Sequence, residues 1–380
     1  MVKQQHTFED LGVKVETSCF KTALGKKEVH AMFHVQPNGD LFEGQHQRIV
    51  AAMKQYLSMD DNQKLSVAME RYFLSDSTNQ APYFMNQQQS RLSLIQQPPL
   101  DGSKVALWLY LIEDVNVCEH ASTQRVEMDN YQLLFDLGMQ HAEGDSATQT
   151  GYLLAEYQQR LAKYGANITD NCIRTWFYVR DVDIQYAGMV KARTDFFEKI
   201  GLRKDTHYLA STGIQGLPSE QKSIIQLGAF AVVGLQPEQQ QYLYAPTHLN
   251  PTYEYGVTFE RGTLLRFGDR SHAYISGTAS INNKGEVVHV GDIIGQTERM
   301  IENVLVLLEE AQMNQHDVAQ VIVYLRDLCD YLTVKPYLDR TFENTPIVFT
   351  LAPVCRPEWL IEMECIAIKE SEDERFNNFC

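Results

Sequence analysis

The chain has 380 residues, 44% apolar and 22% charged, the make-up of a folded protein long enough for two or three domains. Its 33 Lys and Arg against 49 Asp and Glu leave a formal net charge of −16 with no Lys/Arg run, which counts against a nucleic-acid partner or an RNA substrate. The N-terminal MVKQQHTFEDLG lacks an apolar h-region, and no stretch approaches the roughly eighteen apolar residues of a membrane span, so neither export nor membrane insertion is predicted.

In chain order, the pattern predicts the same set of elements three times. A hairpin-like stretch ends in Gly-Asp at Gly39-Asp40, and an amphipathic helix follows with Ile49, Met53 and Leu57 on one stripe. The strand RYFLSD closes on Asp76, the insertion-like segment DSTNQAPYFMNQQQS follows, and VALWLYLIED is a last apolar strand. The second set has Gly144-Asp145, a helix with Leu154, Tyr157, Leu161 and Tyr164, the strand WFYVRD ending at Asp181, and SIIQLGAFAVVG. The third has Gly291-Asp292, a helix with Ile301, Val304, Leu305 and Leu308, the strand IVYLRD ending at Asp327, and LIEMECIAIKE. A Gln opens each helix, and from Gln45, Gln149 and Gln296 to the closing Asp the distances are 31, 32 and 31 residues.

These repeats predict an α+β fold of three tandem β-β-α-β-α-β units, 1–122, 123–236 and 237–380, joined through polar stretches at 112–123 and 236–251. Helices cover one face of each sheet, so the other faces are expected to bury against each other about a pseudo-threefold axis. The seven cysteines, at 19, 118, 172, 329, 355, 365 and 380, are odd in number and form no C-x-x-C pair, which fits reduced thiols in a cytoplasmic protein. His30 and His34 are four apart, but EVHAMFHVQ reads as a strand, and no H-E-x-x-H, Walker or G-x-G-x-x-G pattern occurs; no metal site and no organic cofactor are predicted.

Strand alternation puts Glu362 and Glu364 on one face of LIEMECIAIKE, with Ile361, Met363 and Cys365 on the other. It also puts Arg174 beside Trp176 and Tyr178, a set able to clamp a flat anionic ring, or else to leave Arg174 paired with Asp181 or Asp183 at a surface.

The third unit, with SGTASI, GD…Q, VYLRD and a Glu in its last strand, resembles the RidA (YjgF/YER057c/UK114) family, whose members are usually homotrimers with clefts between subunits. FERGTLL, HVGDIIGQTE and VCRPEWLIE, with IRTWFYV and YLASTGI in the second unit, are similar to the chorismatase group built on RidA-like units. Phe177 stands where that group carries Asn, and the second turn lacks its Pro. The resemblance implies three chorismate-mutase-like units forming an intrachain pseudo-trimer, hence a monomer, that cleaves chorismate without a cofactor at a cleft between units two and three. It implies Glu362 as the acid that protonates the enolpyruvyl methylene, with Arg261, Arg174, Trp176, Tyr178, Thr212, Gly213, Gly262 and Cys355 around the substrate. Gly262 with Cys355 resembles the branch that yields 3-hydroxybenzoate and pyruvate, Cys355 shaping the site rather than attacking. Aligned last strands place Gln226 and Leu107 opposite Glu362, so one cleft of three is expected to be equipped. The alternatives are RidA-type enamine or imine deamination and a non-catalytic binder of a small carboxylate. Deaminases of the family hold the substrate carboxylate with an Arg near the place occupied here by Ile347, Val348 and Phe349.

Overall fold

Strand-forming alternation and apolar runs fold into three six-stranded sheets in a computed structural model that describes residues 1–380 apart from 24, 86–90 and 121. The first sheet holds β1 (Val2–Phe8), β2 (Val13–Phe20), β3 (Glu28–Val35), β4 (Leu65–Leu74), β5 (Leu92–Gln96) and β6 (Val105–Glu113), in the order β1-β2-β3-β6-β4-β5. The second holds β7 (Asn116–His120), β8 (Thr123–Glu127), β9 (Gln132–Gln140), β10 (Cys172–Val179), β11 (Ala210–Gln215) and β12 (Ile225–Val233), in the order β11-β10-β12-β9-β8-β7. The third holds β13 (Gln240–Leu243), β14 (Gly262–Arg266), β15 (Arg270–Ala279), β16 (Val318–Leu325), β17 (Ile347–Leu351) and β18 (Ile361–Glu370), in the order β13-β14-β15-β18-β16-β17. In every sheet the last long strand lies in the middle, antiparallel to its neighbours, and one parallel pair sits at an edge.

Helices α1 (Phe42–Ser58) and the one-turn α2 (Ser77–Gln80) belong to the first unit. The second unit has α3 (Ser146–Ala162), the one-turn α4 (Ile168–Asn171) and α5 (Val182–Ile200), and the third has α6 (Ile293–Glu310) and α7 (Tyr331–Thr341). The apolar stripe of α6 buries Met300, Ile301, Val304, Leu307 and Leu308. The faces without helices meet in a common core to which the first sheet gives Trp108 and Tyr110, the second Phe135 and Trp176, and the third Tyr274 and Ile366. Short bridges tie each pair of units: Gln96 to Leu217, Pro99 to Thr350, and Ile214 to Val354.

The structure departs from the sequence outline in three places. Each sheet has six strands where four were expected: one edge strand precedes the hairpin (β1, β7, β13), and another pairs in parallel with the strand after the first long helix (β5, β11, β17). Among the described residues the first unit has no second long helix; the segment read as an insertion fills that place with α2 and a 3-10 turn at Ala81–Phe84, and its residues 86–90 lie outside those described. The hairpin strand β7 belongs to the second sheet, so the first junction lies between Glu113 and Asn116, before the expected 122–123. The second junction lies between Val233 and Gln240.

The repeated Gly-Asp…Gln has a physical cause. Gly39, Gly144 and Gly291 take φ of 74°, 82° and 76°, which only glycine adopts without strain. Asp145 and Asp292 then cap their helices, accepting from Thr148 N and from Ile294 N and Gly295 N. Each Gln is buried and holds the start of the central strand. Gln45 Oε1 accepts from Lys104 N at 2.7 Å, Gln149 Oε1 from Ile224 N at 2.7 Å, and Gln296 Oε1 from Leu360 N at 2.9 Å. Gln149→Ala or Gln296→Ala leaves buried backbone groups unpaired, and each is expected to cost about 1–3 kcal/mol. This is measured as a lower urea midpoint at unchanged slope, and an unchanged midpoint would refute the anchoring role.

Candidate active site

β18 leaves the Gln296 anchor at Leu360 and carries Glu362 and Glu364 on its helix-free face, into the contact between units two and three. Both are buried, at 5% and 2% exposure, so neither is the solvent-facing residue that isolated strand statistics favour. Their surroundings differ completely.

Glu364 is saturated. It accepts from Arg174 Nη2 at 2.9 Å, Trp176 Nε1 at 2.7 Å and Thr212 Oγ1 at 2.5 Å, and Arg71 Nη1 of the first unit lies 3.8 Å away. Thr212 Oγ1 accepts in turn from Arg174 Nη2 at 2.6 Å and from Gly277 N at 2.9 Å.

Glu362 has no hydrogen-bond partner among the described residues and faces a cavity of ≈80 Å³. A Cβ on Gly277 would lie 2.4 Å from Glu362 Oε1, so that glycine makes room for the carboxyl. Burial raises the Glu362 pKa to about 8, and the charge of Glu364 adds to the rise while Arg174 and Arg261 oppose it. The side chain is therefore a protonated acid at neutral pH.

Three guanidiniums line the same cavity, those of Arg193, Arg261 and Arg356. Arg261 is held by Asn250, donating to its carbonyl from Nη2 at 2.9 Å, and lies over Tyr255 and Phe259. Arg356 lies 4.7 Å from the ring centres of both Tyr255 and Trp359. Arg193, on α5, donates from Nε to Thr258 Oγ1 at 3.2 Å, while its Nη2 has no partner among the described residues. Arg261 also borders a larger cavity of ≈440 Å³ lined by Lys204, Tyr208, Tyr244 and Tyr253.

Of the residues expected around a substrate, Arg261, Gly213 and Cys355 join Glu362 at this cavity. Burial pushes the Cys355 thiol up to about 12, which leaves it unreactive. Arg174, Trp176 and Thr212 do not line the cavity, because Glu364 takes their donors. Tyr178 lies over Arg71, and Gly262 packs against Leu243 and Ile275, both away from it. The counterpart of Glu362 in the second unit is Gln226, which pairs with Tyr178 as Glu362 pairs with Tyr324. In the first unit it is Ala106, two residues after the Gln45 anchor at Lys104; Leu107 faces the helix.

Sequence reasoning missed Arg193 and Arg356. The signal for Arg193 was present, since it falls on the buried stripe of α5 with Met189 and Phe197, where a charge is out of place. Arg356 follows Cys355 directly, but nothing in the local pattern shows that the loop folds back over Tyr255. Among the described residues no group of three or more His, Cys, Asp or Glu could hold a metal ion, and no helix is long and apolar enough to cross a membrane.

The endoribonuclease L-PSP family model matches residues 268–369, within the third unit. A RutC family protein of Pyrococcus abyssi is 39% identical over 100 residues, which are 26% of this chain and 78% of that protein. The 3-aminoacrylate deaminase RutC of Acinetobacter baylyi is 30% identical over 96 residues, 25% of this chain and 76% of that protein. A crystal structure of a chorismatase superposes with a TM-score of 0.64 at 19% identity, covering 80% of this chain and 93% of that one. That likeness is one of fold and extends over all three units, whereas the sequence matches span about one unit.

The proton on Glu362 is held to about pH 8 in the folded chain against 4.5 for an ordinary glutamate. Stability linked to it is complete below the lower value and is lost as pH rises to the upper one. Glu362→Gln cannot ionise, so its Tm is expected to gain on that of the parent progressively across this range. A Tm difference constant with pH would show that the carboxyl is hydrated.

Proposed function

Since the chain belongs to the RidA (YjgF/YER057c/UK114) superfamily, we propose that it is an enzyme that cleaves chorismate, releasing pyruvate from the enolpyruvyl ether at the cavity between units two and three. The observation that supports this is a buried, protonated carboxyl facing three guanidiniums in one cavity. Chorismate carries two carboxylates and an enol ether, so it needs both. Arginine suits the first task, since its planar fork meets a carboxylate with two parallel hydrogen bonds.

Glu362 gives its proton to the methylene carbon of the enol ether. The adjacent carbon becomes an oxocarbenium-like centre, the ring C–O bond breaks, and the three-carbon fragment leaves as pyruvate. The neighbouring ring hydroxyl oxygen bridges to the ring cation as its proton returns to the Glu362 carboxylate, and the bridge opens at the carbon that first held the hydroxyl, with a hydrogen shift and aromatisation, to 3-hydroxybenzoate. A substrate dianion beside Glu362 raises its pKa further and keeps the proton in place until the carbon takes it. Arg193, Arg261 and Arg356 hold the carboxylates, and Tyr255, Phe259 and Trp359 supply flat walls. We take 3-hydroxybenzoate as the ring product on the strength of Cys355 alone, because Gly262 lies outside the cavity.

Deamination of an enamine or imine is the second reading, favoured by the RutC relative. Against it, the expected anchor positions Ile347, Val348 and Phe349 are apolar and line a different cleft, of ≈490 Å³, between units one and three.

Purified protein is expected to release pyruvate from chorismate, followed through lactate dehydrogenase, with 3-hydroxybenzoate on chromatography. Glu362→Gln should lower kcat by about 10²–10⁴-fold. Arg193→Met and Arg261→Met should raise KM for chorismate. The kcat/KM should fall as pH rises past about 8, as the acid loses its proton. Binding of chorismate without turnover would refute catalysis, and turnover of 2-aminoacrylate but not chorismate would favour the deaminase.

A further inference from the structure

Behind Glu364, strands of all three units bring together polar groups that the chemistry above does not use. Arg71 of β4 is completely buried. It pairs in register with Ser93 of β5 and Trp108 of β6, and its guanidinium lies 5.0, 4.4 and 5.6 Å from the rings of Trp108, Trp176 and Tyr178. The Glu364 oxygen nearest to Nη1 is 3.8 Å away, beyond hydrogen-bond length. Among the described residues, Arg71 Nε, Nη1 and Nη2 have no hydrogen-bond partner, and neither do Arg174 Nη1 or the Tyr324 hydroxyl, while the hydroxyls of Ser93 and Tyr178 face each other. None of these five residues is more than 2% exposed. Tyr178 and Tyr324 both lie within electrostatic reach of Arg71, Arg174 and Glu364, and Tyr178 adjoins Ser93.

Two guanidiniums thus share one carboxylate in a place without water access, and that carboxylate already accepts three hydrogen bonds. The aromatic rings stabilise the flat faces of Arg71 but accept nothing from the N–H groups at its edge. Two cations on one carboxylate leave a buried excess of positive charge, which costs several kcal/mol and which an anion offsets more fully than a neutral water. The Tyr324 hydroxyl, and one of the Ser93 and Tyr178 pair, can turn a proton towards an anion.

We propose that this junction is a binding site for one small monovalent anion of halide size, held by Arg71 and Arg174 Nη1 with Ser93, Tyr178 and Tyr324 around it. Binding to the folded chain alone makes stability depend on anion concentration.

The test uses bromide and chloride on the full chain. Crystals grown in bromide are expected to show an anomalous peak within hydrogen-bond distance of the Arg71 guanidinium; no peak there, or peaks at the surface only, would overturn the proposal. In solution, Tm at constant ionic strength, made up with gluconate, should rise with the logarithm of chloride concentration, and Arg71→Gln should flatten that rise. A slope kept in Arg71→Gln would overturn the site. If Arg71→Gln does not fold, the bromide peak in the parent protein decides.

Discussion

Glu364 ties all three units together. One carboxylate on β18 takes hydrogen bonds from a guanidinium, an indole and a hydroxyl of the second unit, and an ion pair from Arg71 of the first. Deleting one member of such a buried set typically costs about 3–5 kcal/mol, because the partner charge is stranded. Apolar sheet faces resist separation but do not by themselves specify one angle of approach, whereas these bonds are directional. With β18 fixed against β10 and β11, Glu362, two residues earlier on the same face, can point only into the cavity. The charge on Glu364 also helps keep the Glu362 proton in place. Position and protonation therefore have a common source.

A second buried network joins units one and three. Glu28 accepts from Arg270 Nη1 at 2.7 Å, from His272 Nε2 at 3.0 Å and from the Tyr110 hydroxyl at 2.8 Å. Those partners hold its carboxyl well below the usual range although burial acts the other way. The contrast with Glu362 is instructive. Both are buried glutamates in central-facing strands, but Glu28 has three donors and Glu362 has none among the described residues. Burial makes the acid where hydrogen bonds are withheld; where they are supplied, it makes an ion-pair joint.

What the sequence disclosed follows the range of the interactions involved. The Gly-Asp…Gln repeats were legible because each acts within its own unit, where a left-handed turn, a cap and an anchored strand start recur at fixed spacing. The shared face of Glu362 and Glu364 was legible from strand alternation. Alternation does not reveal what lies opposite, so Arg174 read as a ligand clamp when its partner is a glutamate 190 residues away. The same limit hid Arg356, whose loop position has no period. The Leu107 error is different: a period of two makes a one-residue slip reverse the face, and only the hydrogen bond from Lys104 to Gln45 settles the register.

Fusion of three units makes the asymmetry of the centre possible. The positions equivalent to Glu364 are Trp108 and Gly228, and those opposite them on the neighbouring strands are Ile322, Arg71 and Trp176 respectively. Three copies of Glu364 around one axis would gather three carboxylates in a dry core, and three copies of Arg71 would do the same with cations. In this chain each role occurs once. Gly228 leaves space beside Trp176, whose ring carbon lies 3.6 Å from where a Cβ would be. Trp176 can then reach Glu364, and its ring lies beside Arg71. The same freedom puts Ala106, Gln226 and Glu362 at one equivalent position, so only one cleft carries the acid. A homotrimer repeats every substitution three times; this chain can make a charged core and a single acid site together because its units differ.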